Sequence, residues 1–454
     1  MTPGTWRARQ AAAGLAASMA LVTAGAVGCT RDDPPRTASS LPVSCAQLAA
    51  APTAAAPARV NPGRPAMGFD PFNTFGTTFD QALIVAIVKA MARSGMRAAG
   101  YRYIILDDGW QGPRNASGQI TADPRRFPCG MSRLAQFVHG EGFLLGLYAT
   151  PGPRSCAGRT GNAGHAAADA RTFARWGVDY VKLDWCYASY APTAAAEFAR
   201  QWRVAIAATH RPMILSVNAG GSPTVAPWAH RLASSWRIGG DICGSWYNQT
   251  RPPRPTARRC YHDRRYHMGI FDYLTSAVLR RAEKYAGPGH HPDPDMLEVG
   301  TRAEAADGQD LNKDALTFSE AGTNLSMWAM WSAPLIAGND PRAMTGTDVA
   351  SRILLNRQII AIDQDPLGIP ASFVLRRGPW QVWYKPLSGG RAAIAIVNLG
   401  SKPATASFTW ARLSVARRPA TVTDLWAHRR LRVTGGLRAR LQPHATAVYL
   451  LTLR

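Results

Sequence analysis

Trp176-Gly177-Val178-Asp179-Tyr180-Val181-Lys182-Leu183-Asp184-Trp185-Cys186 opens as an apolar, β-branched run and ends abruptly in a lysine, a carboxylate and a cysteine. Such a run reads as a short buried strand whose polar residues mark where it emerges. Ser235-Trp236-Arg237-Ile238-Gly239-Gly240-Asp241-Ile242 repeats the arrangement and closes on a second carboxylate. Further strands are expected at Arg102–Asp107, Phe143–Tyr148, Met213–Val217 and Leu335–Ala337. Amphipathic helices are expected at Phe79–Ser94, Met131–Gly140, Ala166–Trp176 and Thr193–Ala208. That alternation predicts βαβ units and a parallel sheet. Strand after strand ends in polar residues: Asp107-Asp108, Tyr148, Asp184, Asn218, Asp241 and Asn339-Asp340. A parallel barrel builds its functional face at the C-terminal ends of its strands, so the repetition favours a (β/α)8 TIM barrel over residues 62–368. An open doubly wound sheet competes with it, but no Gly-rich phosphate loop follows the first strand.

After Asp365-Pro366-Leu367-Gly368 the pattern changes. Alternating runs at Gln381–Tyr384, Ala392–Asn398, Thr405–Trp410 and Ala445–Leu451 are broken by Gly, Pro and Ser. They predict a C-terminal antiparallel β-sandwich over residues 369–454.

The chain has 454 residues, 46% hydrophobic and 18% charged, so it can bury a sizeable core. Its net charge of +23 is uneven, because residues 371–454 carry 14 Lys and Arg against the single acid Asp424. No more than two basic residues stand together and aromatics do not interleave with them, so no nucleic-acid surface is expected. Attraction of the basic C-terminal part to an anionic surface stays open.

Arg7 and Arg9 precede an apolar stretch, Ala11 to Val27, which reads as an export signal over residues 1–28 and is short for a membrane span. Ala26-Val27-Gly28-Cys29 resembles a bacterial lipobox, so Cys29 is expected to carry a lipid, the one route to a membrane. Residues 29–61, rich in Ala, Pro and Ser, read as a tether. The protein is therefore expected to be exported, extracellular or anchored to the outer face of the cell membrane. Six further cysteines suggest three disulfides out of 15 possible pairings. Proximity in the chain favours Cys156–Cys186 and Cys243–Cys260, which leaves Cys45–Cys129.

Two aspartates at the ends of two buried strands are what the cleavage of a glycosidic bond needs, one as nucleophile and one as acid/base. The ordered motifs Met67-Gly68-Phe69-Asp70, Asp107-Asp108-Gly109-Trp110, Gly146-Leu147-Tyr148, Lys182-Leu183-Asp184-Trp185-Cys186, Asp293-Pro294-Asp295-Met296 and Gln364-Asp365-Pro366-Leu367-Gly368 surround them. From about residue 62 the chain resembles glycoside hydrolase family 27, the α-galactosidase and α-N-acetylgalactosaminidase family. The resemblance implies a retaining exo-glycosidase that acts on terminal α-D-galactosyl residues of an oligo- or polysaccharide, with no cofactor. It makes Asp184 the nucleophile, with Lys182 helping to keep it ionised, and Asp241 the acid/base, with Arg237 beside it. Asp107 and Asp108 would bind the far sugar hydroxyls, Phe69 would stack under the ring, and Tyr148 and Met296 would line the pocket. Cys156 with Cys186 would be a pocket-forming disulfide.

The chain departs from the family pattern at Phe69 and Phe72, where Trp is usual, and at Gly109, where Cys is common. It also departs at Trp185, expected to narrow the pocket, and at Asn218-Ala219, where residues read the substituent on sugar carbon 2. These departures leave β-L-arabinopyranosides and isomaltose-releasing α-glucanase activity as same-family alternatives, and a non-catalytic envelope sugar-binding protein as a remote one. His290-His291-x-Asp293-x-Asp295 imitates a metal cluster, but adjacent histidines point apart in an extended chain, and the resemblance places them on a loop without metal.

Overall fold

The computed structural model describes residues 44–49, 58–220, 224–247, 267–276, 284–301, 316–413 and 419–453. The export signal, Cys29, most of the tether and Cys260 lie outside the described residues.

Eight short strands form one parallel sheet: β1 Met67–Phe69, β2 Tyr103–Leu106, β3 Leu144–Ala149, β4 Tyr180–Asp184, β5 Ile214–Asn218, β6 Ser235–Arg237, β7 His291–Asp293 and β8 Leu335–Ala337. From β1 to β7 each strand pairs with the next in the sequence, and β1 also pairs with β8. β2 and β3 are buried at every position, as strands covered on both faces must be. The ring closes through Leu297, whose N–H donates to Ile336 O at 2.7 Å and whose carbonyl accepts from Gly338 N at 3.1 Å. Pro292 explains the detour. His291 N and Asp293 O both bond toward β6, so the N–H of the residue between them would face β8, and proline has none. The expected (β/α)8 barrel is therefore what the chain forms.

The helices follow from local signals. Asp80 accepts from Leu83 N at the start of α1, Gln81–Arg93, and α1 buries Ile84, Val85, Ile87, Val88 and Met91 against the barrel. α2 (Gly130–Gly140), α3 (Ala166–Trp176) and α4 (Pro192–Ala207) fall within one or two residues of expectation. A further helix, α5 at Phe318–Met330, was not expected. It is buried along almost its whole length, so it lacks the polar face that periodicity detects, although Thr317 and Glu320 cap it reciprocally.

The C-terminal part is antiparallel, as expected. A six-stranded sheet and the facing pair Ala404–Thr409 and Gly436–Leu441 enclose their own core, which includes Val382, Ile394, Ile396 and Leu451. α5 joins the two parts. Thr323 Oγ1 donates to His444 O at 2.6 Å, Trp426 Nε1 donates to Ser326 Oγ at 2.9 Å, and Trp331 meets Trp383 edge to face. Lys385 reaches from the sandwich into this junction and donates to Ala329 O at 2.8 Å and Ser332 Oγ at 2.7 Å. It is 1% exposed, and burial pushes its pKa down to about 8. Lys385→Ala would open a cavity and orphan two acceptors, so it should cost about 3 kcal/mol in urea unfolding. A loss below about 1 kcal/mol would contradict this account of the junction.

Candidate active site

At the C-terminal end of the barrel, Asp70 follows β1, Asp107 and Asp108 follow β2, and Lys182 lies within β4. Lys182 Nζ donates to Asp70 Oδ2 at 2.9 Å and to Asp107 Oδ2. All three side chains are largely buried, so the acids compete for one proton. Burial, then repulsion from Asp107, holds Asp70 well above the usual carboxylate range. Burial acts on Asp107 too, but Lys182 and the hydrogen bond with Asp70 outweigh it and hold Asp107 low. Of the two, Asp107 is therefore the more readily ionised partner of the lysine. Asp108 accepts from Ala157 N at 2.7 Å, while burial raises its carboxyl. Its Oδ1 makes no hydrogen bond of ordinary geometry among the described residues, and neither does Arg237 Nε. Buried polar atoms in that state suit a polyhydroxyl ligand.

Asp184 ends β4, and its register partner on β5 is Asn218. That register brings Asn218 Nδ2 to 2.7 Å from Asp184 Oδ1, which also accepts the Trp185 N–H at 2.9 Å. Burial, then repulsion from Asp241 and Asp107, pushes Asp184 up to about 7, while Lys182 pulls the other way more weakly. Lys182 acts on Asp184 as a nearby charge that favours its ionised form, while its hydrogen bonds go to Asp70 and Asp107. The Cys156–Cys186 disulfide forms as expected, and Cys156 Sγ lies 3.5 Å from Asp184 Oδ2. The Tyr148 hydroxyl rests against both sulfurs at 3.5 and 3.8 Å. Burial and then the charge of Asp184 keep that phenol protonated.

Asp241 begins a two-residue strand beyond β6 and its side chain is 61% exposed. Arg237, buried at the end of β6, pairs with Asp241 at 2.5 Å and with Asp295 at 2.6 Å. Burial alone would lower the guanidinium, but Asp295 and then Asp241 hold it firmly charged. Asp295 also accepts the Ile242 N–H at 2.8 Å, so one carboxylate fixes both the arginine and the strand that carries Asp241. Its backbone is left-handed at φ 76°, a conformation uncommon outside glycine that is held where a site requires it. Beyond Asp241 the loop is tied down by Trp246, which stacks on His444 of the sandwich with centroids 4.3 Å apart.

Several expectations need correction. Trp185 is 3% exposed, its indole N–H donates to Ser189 O at 2.9 Å, and its ring meets Phe198 of α4 edge to face. It contributes its backbone N–H to the site, while its side chain belongs to the core. Phe69 is wholly buried within β1, so it underpins Asp70 and offers no open stacking face; Met296 is nearly as covered. His291-Pro292-Asp293 is a barrel strand, not a loop. Burial pushes His291 down to about 3, leaving it neutral in the core. Among the described residues Cys156, Asp184 and Cys186 crowd closely enough to suggest a metal, but their sulfurs are bonded to each other. Cys45–Cys129 is also formed, and Cys243 is disulfide-bonded, with its expected partner outside the described residues. Asp70 and Asp295 join the site without having been expected in it; their place just beyond β1 and β7 was the available signal.

Comparisons with known proteins identify the family of the chain. A family profile described as Alpha galactosidase A matches residues 70–365, and one described as Alpha galactosidase C-terminal beta sandwich domain matches residues 377–451. The chain is 39% identical to Alpha-galactosidase A of Cellvibrio japonicus over 348 residues, covering 76% of this chain and 78% of that one. It is 33% identical to Alpha-galactosidase 2 of Arabidopsis thaliana over 394 residues, covering 86% and 90%. The solved structure of the α-galactosidase of Saccharomyces cerevisiae with raffinose superposes with a TM-score of 0.74 at 27% identity, covering 86% of this chain and 98% of that one.

Asn218 donates to the charged form of Asp184, so its removal should raise the Asp184 pKa by about one unit, the worth of one hydrogen bond to an ion. Carboxyl 13C shifts of labelled Asn218→Ala protein would read this; an unchanged titration would show that the contact carries no weight.

Proposed function

The chain belongs to the α-galactosidase A family of glycoside hydrolases, and from that membership we propose that it hydrolyses terminal α-D-galactosyl residues of oligosaccharides with net retention of configuration. The observation that carries this reading is the electrostatic coupling of Asp184 and Asp241, two carboxylates on different strand ends beside a buried polar cradle. Asp184 attacks the anomeric carbon and forms a covalent galactosyl-enzyme while Asp241 protonates the leaving oxygen. Asp241 then takes a proton from the water that releases the sugar. Asp107, Asp108 and Lys182 bind the far hydroxyls, since carboxylates accept and ammonium donates in fixed directions. Arg237 and Asn218 flank the reacting centre, and Tyr148 with the disulfide closes the wall beside it.

The proton inventory supports an ordered start. In the free site Asp184 is pushed up to about 7 and Asp241 is ion-paired with Arg237. A sugar hydroxyl that takes over Arg237 releases Asp241 to serve as the acid. Once Asp241 is neutral it no longer repels charge on Asp184, so protonating the acid ionises the nucleophile.

The barrel over 62–368 is read as the hydrolytic part and residues 369–454 as its supporting sandwich. Disulfides support a site of action outside the reducing cytoplasm, in keeping with the export signal read from the N-terminus. Among the described residues no helix is long and apolar enough to cross a membrane.

Two measurements test the mechanism. Asp184→Ala should lose at least about 10³-fold in kcat on nitrophenyl α-D-galactoside, with azide restoring turnover to give the β-galactosyl azide. Wild-type-like activity in that variant would remove Asp184 from the mechanism. Asp241→Asn takes away a charge that raises the Asp184 pKa. With a good leaving group, the acidic limb of its kcat/KM profile should therefore move to lower pH than in wild type. A limb that stays put or moves up would break the proposed coupling.

A further inference from the structure

Among the described residues, the tyrosines more than a third exposed are Tyr187, Tyr190 and Tyr247, and all three lie on loops beyond β4 or β6 at the barrel's catalytic end. Two of them are engaged. Tyr190 donates its hydroxyl to Trp185 O at 2.5 Å, and Tyr247 packs on Phe271 with centroids 4.9 Å apart. Tyr187 is 65% exposed, and among the described residues no hydrogen bond, ion pair or ring contact involves it.

Its backbone, by contrast, is tightly held. Cys186, just before it, is bonded to Cys156, and the Cys186 amide and carbonyl both meet the Thr150 hydroxyl at 3.2 Å. Gly152 packs so closely that a Cβ there would lie 2.1 Å from Cys186 O and 2.9 Å from Tyr187 Cβ. The clamp leaves Tyr187 left-handed at φ 52°, a conformation glycine adopts without strain and tyrosine does not. A fixed, strained backbone therefore presents a free aromatic ring. Tyr187 is three residues from Asp184, so the two α-carbons are at most about 11 Å apart along the chain. That is the reach of the sugar next to the bond being cut.

We propose that Tyr187 forms the subsite for the leaving part of the substrate, its ring stacking on the apolar face of the sugar unit that departs from galactose. The electron-rich ring face attracts the C–H groups of a pyranose. Exposure of the ring fits a unit that must bind and then leave. This inference rests on the galactosidase reading above and narrows its substrates to α-galactosyl oligosaccharides.

The test compares raffinose with α-galactosyl fluoride, whose leaving group has no ring. Tyr187→Gly should lower kcat/KM on raffinose about tenfold, the lower end of what an aromatic stacking contact supplies. On the fluoride it should change by less than about twofold, and its Tm should equal or exceed wild type because glycine relieves the left-handed strain. Tyr187→Phe, which keeps the ring, should retain raffinose turnover. Equal losses on both substrates would assign Tyr187 to the scaffold and overturn the subsite, as would no loss on either. Wild-type silence on the fluoride would instead sink the hydrolase reading, and the subsite with it.

Discussion

Lys182 and Arg237 are the charges on which the catalytic end of the barrel depends. Several acidic side chains converge there, among them Asp70, Asp107, Asp184, Asp241 and Asp295. Opposite charges about 4 Å apart attract by about 4 kcal/mol at an effective dielectric of 20, and like charges repel as strongly. Lys182 binds one pair of acids and Arg237 another, so each cation converts repulsion into a fixed geometry. Among the described residues no cation pairs directly with Asp184. Its partners are neutral donors, the Asn218 amide and the Trp185 N–H, which hold an ion in place without quenching it as a nucleophile.

That division explains why the two central carboxylates are not equivalent. Asp184 is enclosed and proton-hungry, while Asp241 is open to solvent and paired. Burial and its like-charged neighbours raise Asp184, while Arg237 holds Asp241. Galactose hydroxyls competing for Arg237 would release Asp241 for its role, coupling substrate binding to readiness for chemistry. The surrounding fold keeps both groups aimed: Asp295 pins the strand carrying Asp241, and the Trp246–His444 stack ties the following loop to the sandwich. The sandwich thus reaches the site through the contacts of His444 with Trp246 and Tyr247 as well as through α5.

Much of this was legible in the sequence, for identifiable reasons. β2 to β6 end in polar residues after apolar runs, so both their existence and their functional ends could be read. β1 is a three-residue strand with Gly68 at its centre and no apolar run around it, and Pro292 made β7 look like a loop. α5 was hidden because it is buried on nearly all sides. Asp184 and Asp241 stood out as isolated carboxylates at strand ends, but the Asp184–Asn218 contact depends on the register of β4 against β5, which no single strand encodes. Trp185 was misplaced because its neighbours in sequence are site residues, whereas its side chain turns to Phe198 on the following helix.

The claim at the centre is that Asp184 becomes covalently bonded to galactose. Incubating the protein with 5-fluoro-α-D-galactosyl fluoride, whose fluorine slows release, and mapping the adduct by peptide mass spectrometry tests it most directly. The sugar should be found on the peptide containing Asp184, attached at that residue. An adduct on Asp241, or turnover that gives β-galactose as its first product with no adduct, would contradict it.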